Sequence, residues 1–262
     1  MTVSIRRARG EDVGFLLELV LHPEVEPFVG AVSAKDRRAV ETEVKRSTSE
    51  PHDFGRFVIE VDGERAGAMG FELANRRSRV AHLERLAVHP SFRGRRLADK
   101  AARQFQLHLA RDLGYHRLQL EIYGFNERAI AHAERAGFVR EGVRRRAYWR
   151  HGGWTDAVLF GLVADELDVP ANILLLHDYL GAHNEAVRSG VWDSSRDWFA
   201  ADAERAVDVL DADEVVTFSA REAAGEVSAD YGLRRDQSVV AGCLLLRSAD
   251  GMTISRLVVS GS

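Results

Sequence analysis

The sequence has few cysteines and prolines and no long apolar run. Its single cysteine, Cys243, lies in the apolar stretch 239–246 and cannot form a disulfide within the chain. Because disulfides persist in oxidising compartments, we expect a reduced, cytoplasmic protein. The first residues lack the apolar core of a secretory signal, and no apolar run is long enough to cross a bilayer, so we expect a soluble protein without a membrane partner.

A strong charge of one sign is also missing. Thirty-six Lys and Arg against 40 Asp and Glu give a net charge of -4, which argues against nucleic acid as the partner. The arginines between positions 140 and 150 alternate along a predicted strand and are expected to face solvent. The histidines are scattered without companion cysteines, so no metal site is predicted.

The length and one change of pattern predict two domains. A chain of 262 residues exceeds the usual size of one domain. The acidic stretch that ends at Pro170 is typical of a linker, and we therefore predict domains at 1–164 and 171–262 joined by 165–170. In the first domain we expect a strand at 3–7, a helix capped by Ser33, and a hairpin turning at Asp62 and Gly63.

The segment from Val88 to Ala101, VHPSFRGRRLADKA, predicts a strand that passes through an arginine and glycine turn into a helix. Leu97, Ala101 and Phe105 mark the buried stripe of that helix. The first N–H groups of a helix have no partners within it, and the helix dipole favours negative charge there. The turn is therefore suited to a pyrophosphate.

The surrounding order of motifs resembles the GNAT acetyltransferases. The strand through Glu84 leads into the turn, and a second strand leads into a helix that begins with Asn126-Glu127-Arg128-Ala129 and stops before Phe138. The resemblance covers about residues 1–164. It implies an α+β fold, a mixed sheet flanked by helices, with central strands that splay apart. It also implies acetyl-coenzyme A as co-substrate and transfer of the acetyl group, by direct attack, to a primary amine of a small molecule or a protein N-terminus.

The same resemblance implies which residues bind the coenzyme. Arg96 stands where the family has its second glycine, which implies either ordinary helical dihedrals at that position or an altered phosphate contact. The implied coenzyme-binding residues are Leu86, Ala87, Val88, Arg93, Gly94, Arg95, Arg96, Leu97, Ala98, Asn126 and Ala129.

For the chemistry, Glu84 matches the family's general base, and strand alternation places it on the same face as Leu86 and Val88. The N–H of Val88 is the implied donor to the thioester oxygen. The family's usual general acid, a tyrosine, is replaced by Ala133, which leaves Tyr123 or Tyr148, water, or an impaired enzyme. This loss also keeps open a different function, a noncatalytic acyl-coenzyme A sensor or assembly module.

The C-terminal part predicts helices followed by an antiparallel sheet. Apolar residues repeat at helical spacing between 171 and 189, and extended runs follow at 214–219, 226–233, 238–247 and 252–260. The order resembles the NTF2-like or SnoaL-like cone, which implies either an apolar pocket or a homodimer formed through this domain. His177, His183 and Asp230 are the polar candidates for such a pocket.

Overall fold

The computed structural model describes residues 1–29 and 36–169, residues 174 and 177, and the backbone of 214–223, 226–235, 238–248 and 251–259. The chain divides into two compact units. The first contains residues 1–107 and 117–167, and the second contains residues 108–116 and 168–262. Among the described helices, none combines the length and the apolar character that a bilayer span requires.

The first unit is a seven-stranded mixed sheet with helices on both faces, as predicted. Its strands follow the order β1-β2-β3-β4-β5-β7-β6, and β4 with β5 is the parallel pair. The strands are β1 Val3–Arg7, β2 Phe54–Val61, β3 Glu64–Asn75, β4 Val80–Val88, β5 Arg117–Tyr123, β6 Val139–Arg150 and β7 Gly153–Val163. The helices are α1 Val13–Leu21, α2 Arg37–Ser49, α3 Leu97–Leu107 and α4 Glu127–Arg135.

Two neighbouring residues of β2 show which helices cover which face. Phe57 packs edge-on against Phe105 of α3, with ring centroids 5.0 Å apart. Val58 belongs instead to the buried cluster formed by α1 and α2. Successive strand residues point to opposite faces, so α1 and α2 cover one face and α3 covers the other. His132 of α4 contacts Asp99 of α3 at 2.9 Å, which places α4 beside α3. We call these the α1/α2 face and the α3/α4 face.

Several local predictions can be compared with the structure. The hairpin at Asp62 and Gly63 is confirmed, with φ of 49° and 87° at the two turn residues. The predicted cap of α2 is wrong, because the Asp36 side chain accepts the hydrogen bond from the Ala39 N–H at 2.8 Å. Ser33 itself lies outside the described residues. An aspartate directly before the first helical residue provides the better-placed acceptor.

The second unit contains a four-stranded antiparallel sheet in the order β11-β10-β9-β8, which matches the four predicted extended runs. Its strands are β8 Glu214–Ala223, β9 Glu226–Arg235, β10 Ser238–Ser248 and β11 Gly251–Val259. In the same unit, Nε2 of His177 contacts the Arg111 carbonyl at 2.6 Å. His183, the Asp230 side chain and most of the predicted helix 171–189 lie outside the described residues. The NTF2-like resemblance stays a prediction.

Candidate functional site

A cleft opens in the first unit where β4 and β5 separate. The two strands pair only from Val80 to His82 with Arg117 to Gln119. Beyond these positions they diverge, and a cavity of about 730 Å³ lies between them. The cleft is lined by both strands, by the N-termini of α3 and α4, and by the segment that follows α1. The separation is the splay that the sequence resemblance implies.

A β-bulge at Arg85 decides which side chains of β4 share a face. Gly70 of β3 lies opposite Glu84, and Ala68 lies opposite Ala87. Between these two pairs β4 therefore advances by three residues where β3 advances by two. Arg85 has a φ of 58°. The extra residue reverses the alternation, so Glu84 shares its face with Ala87. The expectation that Glu84 shares a face with Leu86 and Val88 is therefore wrong. Ala87 packs against the cluster of α1 and α2, so Glu84 lies on the α1/α2 face.

Glu84 is held by an arginine from two strands away. Arg56, Gly70 and Glu84 occupy one row across β2, β3 and β4. Nη2 of Arg56 lies 2.7 Å from Oε1 of Glu84. A Cβ atom at Gly70 would clash with Nη1 of Arg56 and would lie 2.7 Å from the Gly55 carbonyl oxygen. The missing side chain at Gly70 therefore lets Arg56 reach across β3 to Glu84.

A second carboxylate completes this buried network. Nε of Arg56 lies 3.1 Å from Oε2 of Glu43 on α2, and the two Nη atoms of Arg85 contact Glu43 at 2.5 and 2.8 Å. Burial would raise the pKa of Glu43, but hydrogen bonds and charges from Arg85 and Arg56 bring that pKa below its ordinary value. The other oxygen of Glu84, Oε2, has Arg85 Nε at 3.9 Å. Oε1 of Glu84 is thus anchored, and Oε2 is the oxygen less engaged by the network.

The backbone N–H of Val88 faces the cleft. His89 donates its N–H to the Ala66 carbonyl at 2.8 Å, so the His89 N–H points toward β3. Successive N–H groups of an antiparallel strand point to opposite sides. Val88, which lies opposite Gly67, therefore directs its N–H away from β3. On that side β4 has separated from β5, so this N–H is available to a bound group.

The junction between β4 and α3 contains two residues with a left-handed backbone. Gly94 has a φ of 82° and Arg96 a φ of 53°. Ordinary helical dihedrals at Arg96 are therefore excluded, and the arginine occupies the left-handed region that favours glycine. The Lys100 N–H contacts the Arg96 carbonyl at 3.4 Å. The preceding N–H groups of α3 lie in its first turn, so they have no partner within the helix and are suited to an anion.

Of the residues predicted to bind the coenzyme, all but Arg95 line this cleft. Arg93 fastens the junction to the segment after α1, because its guanidinium contacts the Glu24 carboxylate at 2.7 Å and the Glu24 carbonyl at 3.0 Å. Asn126 caps α4 by accepting the Ala129 N–H at 3.2 Å, as predicted. The guanidinium of Arg95 lies 6.0 Å from the Phe92 ring centroid. The cleft is lined by Leu86, Ala87, Val88, Arg93, Gly94, Arg96, Leu97, Ala98, Asn126 and Ala129.

The three positions considered for the general acid also line the cleft. Ala133 is buried, so this part of the wall carries no hydroxyl. Tyr148 donates its hydroxyl hydrogen bond to Oε2 of Glu121 at 2.6 Å. Burial, followed by this hydrogen bond, raises the pKa of Tyr148 to about 12. The Tyr123 ring lies edge-on to the Tyr148 ring at 5.2 Å, and the guanidinium of Arg150 lies 5.3 Å from the Tyr123 centroid.

Sequence reasoning missed Arg56, Gly70, Glu43 and Glu121. One signal was available, since an isolated glycine inside a strand indicates a close approach by another group. Arg56 and Glu43 lie 13 residues apart, and only the packing of α2 on β2 brings them together. Apolar and polar residues alternate along β5, and Glu121 and Tyr123 fall on its polar side. This alternation could have shown that the two side chains share one face of the sheet.

Comparison with known proteins agrees with this arrangement. Residues 18–138 match the family model described as Acetyltransferase (GNAT) family. Spermidine N(1)-acetyltransferase of Escherichia coli (strain K12) is 32% identical over 108 residues, covering 39% of this chain and 55% of that protein. The SPbeta prophage-derived uncharacterized N-acetyltransferase YokL of Bacillus subtilis (strain 168) is 27% identical over 84 residues, covering 32% and 48%. The chain spans about half the length of the curated relatives it matches.

Solved structures share the fold. RimL, a ribosomal L7/L12 alpha-N-protein acetyltransferase in complex with coenzyme A, has a TM-score of 0.58 at 19% identity. Spermidine N-acetyltransferase from Vibrio cholerae, in complex with coenzyme A and spermine, has a TM-score of 0.58 at 18% identity. Each comparison covers 63% of this chain and 96% of the other. The segment 18–138 thus matches the GNAT acetyltransferase family in sequence, and the first unit shares the fold of these solved structures.

Proposed function

We propose that this chain is an acetyl-coenzyme A-dependent N-acetyltransferase that acts on a primary amine by direct attack. One observation carries the proposal. The cleft between β4 and β5 has the first-turn N–H groups of α3 at one end and the anchored carboxylate of Glu84 on the α1/α2 face. An activated acyl carrier and an amine could therefore approach each other from opposite faces of the sheet, which would supply the proximity that such a transfer needs.

The residues at the α3/α4 face fit the phosphates of the coenzyme. The left-handed backbone at Gly94 and Arg96 turns the chain into α3, whose first N–H groups have no partner within the helix. The carbon atom that a side chain would add at Gly94 meets no atom within 4 Å among the described residues, so this side of the junction is open. When bound there, acetyl-coenzyme A supplies the acetyl group as a thioester.

Glu84 acts as the general base in this proposal. Oε1 is held by Arg56, and Oε2 accepts the proton that the amine loses, directly or through a water molecule. The N–H of Val88 donates a hydrogen bond to the thioester oxygen as negative charge develops there. The new bond joins the amine nitrogen to the acetyl carbon, and the bond from that carbon to sulfur breaks.

The leaving sulfur needs a proton, and Tyr123 is the better donor of the two tyrosines. Tyr148 is the weaker choice because its hydroxyl is committed to Glu121 and its pKa is about 12. Water remains an alternative donor, because a thiolate leaves without strong acid assistance. Replacement of Tyr123 by Phe therefore distinguishes the two donors, because it removes the tyrosine hydroxyl and leaves water available.

Acceptors within this proposal are primary amines of small molecules and of protein N-termini, the two kinds of acceptor that the names of similar proteins mention. For the second unit we propose an NTF2-like fold and a homodimer formed through it, supported by the edge strands β8 and β11 of its sheet. A dimer mass in light scattering of the full chain would support that part, and a monomer would refute it. The single cysteine supports a cytoplasmic location.

Steady-state release of free coenzyme A, measured with a panel of amines, tests the activity. We expect Glu84→Gln to lower kcat/KM by about 100-fold or more, since general base catalysis contributes on that scale, while the affinity for coenzyme A changes little. Glu72→Gln is the matched control, because Glu72 of β3 also pairs with an arginine, Arg46, at 2.8 Å but does not line the cleft.

Two results would contradict the proposal in different ways. Equal losses of turnover and coenzyme affinity in Glu84→Gln would remove Glu84 from the base role. Calorimetric binding of acetyl-coenzyme A without any amine-dependent turnover would refute the transferase and would fit the noncatalytic sensor.

A further inference from the structure

The carboxylates that line the cleft already have cationic or hydrogen-bonding partners within the protein. Glu24 contacts Arg93 at 2.7 Å, and Glu84 contacts Arg56 at 2.7 Å. The remaining pairs are Asp99 with Arg135 at 3.9 Å and with the His132 ring at 2.9 Å, and Glu121 with Arg144 and the Tyr148 hydroxyl. Among the described lining residues these four are all the acidic side chains. A second positive charge on an acceptor would therefore meet carboxylates whose charge is already balanced.

Phe28 and Tyr123 contribute aromatic rings to the cleft wall on the α1/α2 face, and Phe125, which packs against both, does not itself line the cleft. Tyr123 and Phe125 stack with centroids 5.4 Å apart at 13°, and Phe28 lies 6.2 Å from Phe125. Phe28 and Phe125 are 46% and 39% exposed, so their rings are available to a ligand. The Tyr123 ring already has the guanidinium of Arg150 beside it at 5.3 Å. The cation-π position on that ring is taken by the protein itself.

We propose that the acceptor is a monoamine, a single primary amine on an apolar or aromatic body, and that polyamines are poor acceptors. The inference rests on the proposed transferase function and specifies its acceptor. Exposed aromatic rings gain free energy by covering an apolar body. A second ammonium group would lose its hydration without gaining an unpaired carboxylate. The single ammonium group of a monoamine is deprotonated to the neutral amine before attack, and the nitrogen gives its second proton to Glu84 as the amide forms.

A matched pair of amines tests the proposal on the full chain. Hexylamine and 1,6-diaminohexane have the same carbon chain and differ by one amino group; 2-phenylethylamine and spermidine extend the comparison. We expect kcat/KM for the two monoamines to exceed that for the diamine and spermidine by about tenfold or more, the scale of one uncompensated polar group. An equal or higher kcat/KM for 1,6-diaminohexane or spermidine would overturn the proposal.

A variant tests the cause of the preference. Arg144→Gln removes the cation that pairs with Glu121, so the ratio of hexylamine to diaminohexane should fall by at least about threefold as Glu121 becomes available to the second ammonium group. Arg140→Gln, on the same strand, is the control and should leave the ratio unchanged. An unchanged ratio in Arg144→Gln would overturn the electrostatic explanation. Coenzyme binding without turnover of any amine would instead refute the transferase activity itself.

Discussion

The two faces of the β4–β5 cleft differ in how their charges are balanced. Toward the α3/α4 face, Arg96 and Arg128 line the cleft and make no ion pair or side-chain hydrogen bond with the residues that the structure describes. Toward the α1/α2 face, Glu84 and Glu121 each pair with an arginine. The same cavity therefore carries uncompensated positive charge at one end and compensated negative charge at the other.

This difference indicates which ligand charge each end can accept. An unpaired guanidinium at the cleft can contact a phosphate without losing an internal partner. A paired carboxylate can contact a ligand cation only by sharing or breaking its ion pair, and breaking a partly buried pair is costly. The α3/α4 face is consequently suited to an anionic carrier, and the α1/α2 face to a ligand with little net charge.

Among the variants that test this comparison of the two faces, the largest effect is expected from closing the gap through which Arg56 reaches Glu84. Gly70→Ala leaves both charged residues in place but puts a methyl group where Nη1 of Arg56 lies. We expect kcat to fall by about tenfold or more, within the range that a misplaced general base would cause. The affinity for coenzyme A should change little, because the junction before α3 is untouched. Steady-state kinetics and calorimetry measure the two quantities.

Gly142→Ala is the control for this substitution. Gly142 lies in β6, and an added Cβ there meets no atom within 4 Å among the described residues. Its kcat should therefore match that of the unmodified chain. If Gly70→Ala retained full kcat, the ion pair between Arg56 and Glu84 would have no part in positioning the base.

The next effect concerns Arg96, whose backbone and side chain can be tested separately. Arg96→Ala and Arg96→Gly both remove the guanidinium, so each should weaken coenzyme A binding by about tenfold, the scale of one hydrogen bond to a charged group. Only Arg96→Gly relieves the φ of 53°, and it should be more stable to unfolding than Arg96→Ala by about 1 kcal/mol. Calorimetry and thermal denaturation give the two values.

Arg103→Ala is the control, because Arg103 is an exposed residue of α3 that does not line the cleft. Its affinity for coenzyme A should be unchanged. Unaltered binding in Arg96→Gly would mean that the backbone N–H groups hold the phosphates without this side chain.

The local elements of the fold could be predicted, but the pairing of charges across the cleft could not. Asn126 as a helix cap and the Asp62-Gly63 turn follow from short-range preferences, and both were confirmed. The bulge at Arg85 was not predicted, because an arginine carries no local signal for a left-handed backbone. Since one extra residue reverses strand alternation, that omission put Glu84 on the wrong face.

The partners of the candidate base were missed for a related reason. Arg56 and Glu84 are far apart in sequence and meet only through the register of β2, β3 and β4. Register is set by the hydrophobic faces and turns of the whole sheet, and a charged side chain contributes little to it. The motif therefore predicted which residues surround the cleft, and the tertiary structure decided which of their charges are balanced.

The smallest predicted effect is a change in titration on the α1/α2 face. The folded pKa of Tyr148 is about 12, above the ordinary 10.0, because of burial and the hydrogen bond to Glu121. This preference for the neutral phenol stabilises the fold fully below pH 10, and the contribution is lost as the pH rises toward 12.

Glu121→Gln removes a negative charge beside the phenol, so the pKa of Tyr148 should fall toward 10. Absorbance at 295 nm would show this fall after subtraction of the Tyr148→Phe titration. Glu141→Gln on β6 is the control and should leave this pKa unchanged. If the pKa of Tyr148 were unaltered in Glu121→Gln, burial alone would raise it. The charge of Glu121 would then have no influence on the Tyr148 phenol.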